Sequence, residues 1–202
     1  MTTSPLLDQL LLVDRHGPLV RAWEAAFEDH EEARIVEGDF FAYPADAMVS
    51  PANSFGIMDG GLDAAIRDTL GHGVQRAVQA RILADFHGEL PIGTAVLVET
   101  GHASWPFLIA APTMRVPEGV AQTVNAYLAF RAVLLAVRAH NASDHETKIG
   151  SVLCPGLGTG IGALDPTRRA VQMRLAYQQV RAPARIPSFS QIHAAHRALK
   201  TS

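Results

Sequence analysis

Short apolar runs alternate along the chain with amphipathic stretches. Leu10-Leu11-Leu12-Val13 reads as a buried strand, Pro18 to Phe27 as a helix with proline in its first turn, and Ala33 to Glu37 as a second strand. Ala47-Met48-Val49 forms another short strand, and Pro51 after it bars a longer ladder. Beyond Gly60-Gly61, the spacing Leu62, Ala65, Ile66, Leu70 sets one apolar helical face, which ends at Gly71 and Gly73. A further helix is expected from Val74 to Phe86, strands over Ala95 to Val98 and Phe107 to Ala111, a long helix from Val120 to His140, and a strand from Ile149 to Cys154. Asp165-Pro166 opens a helix with an acidic cap and carries Val171, Leu175 and Tyr177 toward Val180. Two prolines at 183 and 187 then break regular structure before a short tail helix within 188–199.

Strands separated by helices predict a three-layer α/β/α sandwich with a mixed, mostly parallel central sheet. We read residues 1–202 as a single domain, with no internal repeat or long linker; residues 6–30 form a β-α extension at its start. Ligands of such sheets sit beyond the carboxyl ends of the strands. Chemistry is therefore sought in the loops at that edge.

Composition narrows the function. The 202 residues carry 17 Lys+Arg against 20 Asp+Glu, a net charge of −3, so no basic field favours a nucleic-acid partner. The single Cys154 cannot close an internal disulfide, and a reducing, cytoplasmic setting is expected. No apolar run approaches the roughly 20 residues of a membrane span, and the N-terminal MTTSPLLDQ lacks a secretory pattern. No membrane partner is expected.

Two glycine-rich loops stand out at strand ends. Asn53 to Asp63 contains Gly60-Gly61 ahead of a helix, where main-chain N–H groups and the helix N-terminus could cradle a phosphate; taken alone, a glycine pair is more simply a tight turn. Pro155-Gly-Leu-Gly-Thr-Gly-Ile-Gly162 follows the last strand, and lacks the lysine of a nucleoside-triphosphatase loop. Four glycines spent on a mere connection would cost conformational entropy.

Taken in order, Glu37-Gly38-Asp39, Asp46 to Asn53, Gly60 to Ile66, Pro91 to Ala95 and Pro155 to Gly162 resemble a macrodomain, the ADP-ribose-binding α/β/α module, across about residues 35–180. The resemblance implies ADP-ribose, free or carried on a protein, as ligand or substrate, with no cofactor and no metal. It places Asp39 and Phe40 at the adenine, the carboxylate accepting from the exocyclic amino group. It places Asn53 at the distal ribose, and Asp59, Gly60, Gly61 and Leu62 on one side of the diphosphate. Gly158, Thr159, Gly160, Ile161 and Gly162 take the other side. Asp63 matches the acid that helps position water, with Asn53 beside it in the catalytic set. Each polar residue also has a structural reading: Asp39 as a turn cap, Asn53 as an Asx turn, Asp63 as a first-turn carboxylate complementing the helix dipole.

Two positions depart from the family pattern. Asp59 stands where many members have a third glycine, and Gly162 where many carry an aromatic that packs on the distal ribose, a role Phe55 could take over. Arg115 ends a strand on the same edge, and His193 and His196 at helical spacing lack a third metal ligand. The expected activity is metal-independent hydrolysis of ADP-ribosyl esters. The alternatives are a non-catalytic ADP-ribose reader and a structural protein that has lost the ligand.

Overall fold

The computed structural model describes residues 6–201. Six strands, β1 (Gln9–Asp14), β2 (Ala33–Glu37), β3 (Ala47–Ser50), β4 (Val96–His102), β5 (Trp105–Ala110) and β6 (Ser151–Cys154), form one sheet in the order β2-β1-β6-β3-β5-β4. Only β4 runs antiparallel, paired with β5. The sheet is mixed and mostly parallel, as its alternation with helices predicts.

Continuous apolar runs suit these strands because both faces are covered. Leu10, Leu12, Val49, Ile109 and Val152 pack beneath α1 (Gly17–Ala26), α4 (Asn125–Ala142) and α5 (Pro166–Arg181). Leu11, Val13, Met48, Leu108 and Leu153 face α2 (Gly61–Leu70) and α3 (Gly73–Phe86) through Ile66, Val78 and Ile82. The last helix, α6 (Phe189–Thr201), is mostly exposed and meets α5 at its C-terminal end, where buried Leu199 lends its carbonyl to Gln172 at 3.0 Å.

The opening β-α segment adds to the sheet from within: β1 lies between β2 and β6, which is why Leu10 to Val13 are buried. Two details differ from the sequence expectation. The long helix starts at Asn125 rather than Val120, because Val120 N–H is committed to the Gly162 carbonyl at 2.8 Å and the backbone turns there. On α5 the buried face is Ala170, Met173, Ala176, Tyr177 and Val180, while Val171 and Leu175 are only partly covered. Asp46 fastens the opposite end of the sheet: its Oδ2 accepts from the Gly150 and Ser151 N–H groups at 2.9 and 2.8 Å, joining the start of β3 to that of β6.

Candidate functional site

The parallel strands all deliver their carboxyl ends to one edge, and a cavity of about 460 Å³ opens there. Val13, Asp14 and Arg15 leave β1 along one wall, and Gly38, Asp39, Phe40 and Phe41 leave β2 beside them. Leu62 and Ala65 of α2 form an apolar side, and Pro155 with Thr159 supplies the second glycine loop.

Of the residues singled out from the sequence, Asp39, Phe40, Leu62 and Thr159 line this cavity. Asp39 caps a short 3-10 turn: its Oδ1 accepts the Phe41 N–H at 3.2 Å, and its Oδ2 lies 3.1 Å from Arg15 Nη2. Phe40 is buried beneath the turn.

The first glycine loop ends at Gly60, the N-cap of α2, and neither Gly60 nor Gly61 would bring a Cβ within 4 Å of any protein atom. Gly61 needs glycine for its φ of +56°, but Gly60 has an extended backbone that any residue adopts. The fold itself therefore leaves Gly60 unconstrained and the space in front of it open. Asp59 beside it is exposed.

Asp63 sits in the first turn of α2 and accepts a hydrogen bond from Ser50 Oγ at 2.6 Å. Burial raises its pKa from 3.8 to about 6; the neighbouring Asp59 charge adds to the rise, and the Ser50 hydroxyl opposes it. Asp63 is not in the cavity wall itself but on the same turn as Leu62, one residue along. Asn53 spends its amide inside its own loop: Nδ2 donates to the Ile57 carbonyl at 2.7 Å, and Oδ1 accepts from the Phe55 and Ile57 N–H groups at 3.0 and 3.3 Å. This is the Asx-type turn that its sequence position also allowed.

The second glycine loop is gripped from two sides. Asp14 Oδ2 accepts the Gly156 N–H at 3.2 Å, and a Cβ at Gly156 would fall 2.6 Å from that oxygen and 2.5 Å from Thr159 Cγ2, so the approach requires glycine. The buried Arg169 guanidinium of α5 donates to the Gly158 carbonyl at 3.3 Å and to that of Leu164. Desolvation lowers the Arg169 pKa to about 10, with Asp14 and Asp165 opposing the fall. Gly160 opens outward, Ile161 is 67% exposed, and Gly162 is buried against Val120.

Sequence reasoning missed Asp14 and Arg15. Their signal was available: two charged residues directly after an apolar strand, at the edge where ligands bind. Phe55 and Arg115 do not face a ligand space alone; the Arg115 guanidinium lies 5.2 Å from the Phe55 ring centre and is paired with Glu89 at 2.7 Å. Cys154 is buried at the end of β6, which pushes its thiol pKa up. Among the described residues, His193 and His196 belong to no group of three or more potential metal ligands.

The sequence profile of the Macro domain matches residues 49–173. The chain belongs to the Macro domain family. It is similar to the "Macro domain-containing protein in gbd 3'region" of Cupriavidus necator, 32% identical over 146 residues that cover 72% of this chain and 79% of that protein. An uncharacterized protein of Aquifex aeolicus is 30% identical over 151 residues, 74% of this chain and 81% of its own length.

Solved macrodomain structures share the fold. The macrodomain of Mycobacterium tuberculosis DarG superposes with a TM-score of 0.59 at 23% identity, covering 71% of this chain and 88% of that one. The Oceanobacillus iheyensis macrodomain with ADP gives 0.57 at 18% identity over 81% and 87%. Thermosipho africanus DarTG in complex with ADP-ribose gives 0.59 at 18% identity over 81% and 44%. At these identities the likeness establishes the α/β/α architecture. Among the described residues, no helix of this macrodomain is long and apolar enough to cross a membrane.

Proposed function

We propose that this macrodomain binds ADP-ribose at the carboxyl edge of its sheet and hydrolyses ADP-ribosyl esters: mono-ADP-ribose on acidic side chains, O-acetyl-ADP-ribose or ADP-ribose 1″-phosphate. Asp39 accepts from the adenine amino group, and the main-chain N–H groups of the two glycine loops hold the diphosphate. Such N–H groups bind anions without a lysine, which suits a chain of net charge −3.

The observation that carries the catalytic half is the Ser50–Asp63 pair beside that edge. A carboxyl group with a pKa of about 6 is ionised at neutral pH yet basic enough to draw a proton from water. In the proposed step, water attacks the ester, its proton moves toward Asp63, the ester C–O bond breaks, and the acid departs with the bonding electrons. Removing Asp63 separates chemistry from binding: Asp63→Ala keeps ADP-ribose affinity and loses turnover.

A second reading, a reader that binds ADP-ribose unchanged, is favoured by one observation: the Asn53 amide is committed to its own loop rather than turned outward. Calorimetry with ADP-ribose, run beside turnover of the three esters, decides between them. Binding with turnover supports the hydrolase; binding without turnover supports the reader; absence of binding removes both.

A further inference from the structure

We infer that Arg15 is a base-specificity residue, contributed by the segment that precedes the family's matched region and acting on the nucleobase end of the ligand. The inference rests on the ADP-ribose reading above. The Macro domain match begins at residue 49, yet β1 and β2 together build a whole wall of the cavity. That wall exists because β1 is inserted between β2 and β6, so Asp14 and Arg15 emerge directly between Asp39 and Pro155.

Leu62 and Ala65 supply an apolar side of the cavity, and the guanidinium of Arg15, at the end of the adjacent parallel strand β1, holds Asp39 Oδ2 at 3.1 Å. Asp39 Oδ1 is fixed by the Phe41 N–H, so the carboxylate is held at both oxygens, each with a lone pair to spare. A guanidinium is flat, permanently charged and stacks on aromatic rings, including nucleobases. Arg15 can thus lie over the base while fixing the direction in which the Asp39 carboxylate presents its acceptor oxygens. An acceptor so directed favours adenine, which offers an amino group, over hypoxanthine, which offers a carbonyl at the same place.

The pair has little to do for folding. Arg15 and Asp39 side chains are 77% and 51% exposed, and an ion pair that open contributes little to stability. A change in ligand preference on altering Arg15 therefore cannot be charged to a damaged fold.

The test is calorimetric titration of the full chain, as parent, Arg15→Ala and Arg15→Lys, with ADP-ribose and with its hypoxanthine counterpart, alongside thermal unfolding. The expected result for Arg15→Ala is an unchanged unfolding temperature, roughly tenfold weaker ADP-ribose binding, and an adenine-to-hypoxanthine preference that shrinks toward one. Arg15→Lys keeps the charge without the plane and recovers only part of the loss; full recovery overturns the stacking role. Arg15→Ala with unchanged affinity and unchanged preference overturns the inference while leaving ADP-ribose binding intact. A parent chain that binds neither nucleotide overturns the ligand reading, and this inference falls with it.

Discussion

Ser50 Oγ donates to Asp63 Oδ1 at 2.6 Å, joining the last residue of β3 to the first turn of α2. The bond holds the carboxylate against the carboxyl end of β3 and tempers the pKa that burial raises to about 6. Asp63→Ala is expected to lower turnover of an ADP-ribosyl ester by roughly ten- to a thousandfold with little change in affinity, because the group acts on the water and not on the bound nucleotide. Asp59→Ala, assayed beside it, serves as the control carboxylate. Loss of turnover in Asp59→Ala alone would transfer the role to that residue.

The same shift predicts two pH profiles. Since the folded pKa lies above the unfolded value of 3.8, Asp63 favours folding at low pH, and that contribution is lost as pH rises through about 6. Asp63→Asn should flatten this part of the stability curve, measured by urea unfolding from pH 4 upward. Turnover needs the ionised form and should rise with pH to a plateau above about 6. Ser50→Ala removes the donor that holds the pKa down, so its rising limb should move to higher pH; an unmoved limb would detach Ser50 from the chemistry.

Asp39→Ala removes the acceptor at the base subsite and should weaken ADP-ribose binding by about 1–3 kcal/mol. Its signature is selective. The hypoxanthine counterpart should lose far less, and equal losses on the two nucleotides would place Asp39 away from the base.

The second glycine loop should fail through its supports. Asp14→Ala strips the Gly156 and His16 N–H groups of their acceptor and removes one of the two opposing charges, Asp14 and Asp165, that face the buried Arg169. We expect a stability loss of about 1–3 kcal/mol together with weaker ligand binding. Asp46→Ala, which breaks the clasp at the far end of the sheet, should cost stability of the same order but leave affinity unchanged. Denaturant midpoints and calorimetry on the two variants separate the effects.

Much of this architecture can be read from the residues alone, for identifiable reasons. The runs at Leu10 to Val13 and Ala47 to Val49 are unbroken because parallel strands are covered on both faces, and the helix at Gly61 announces itself by its glycine pair and apolar spacing. What cannot be read is tertiary. No local pattern places β1 inside the sheet, and so none brings Arg15 to Asp39. The start of α4 is displaced by a bond from Val120 to Gly162, a partner far along the chain. The turn formed by Asn53 is local, but periodicity says nothing about where an amide points.

ADP-ribose lying across the two glycine loops is the arrangement from which the other roles follow, and it is checked by calorimetric titration of ADP-ribose into the parent chain, Gly61→Glu and Gly160→Glu. Space is open at both positions, so the new side chain meets no protein atom; it strains a backbone whose φ is +56° at Gly61 and +59° at Gly160, and proof that each variant folds is therefore part of the test. The account predicts micromolar binding by the parent, about −7 to −8 kcal/mol, and none by either folded variant, as judged by circular dichroism. A parent that produces no heat with ADP-ribose, or folded variants that bind it as tightly as the parent does, would remove the diphosphate from this edge of the sheet.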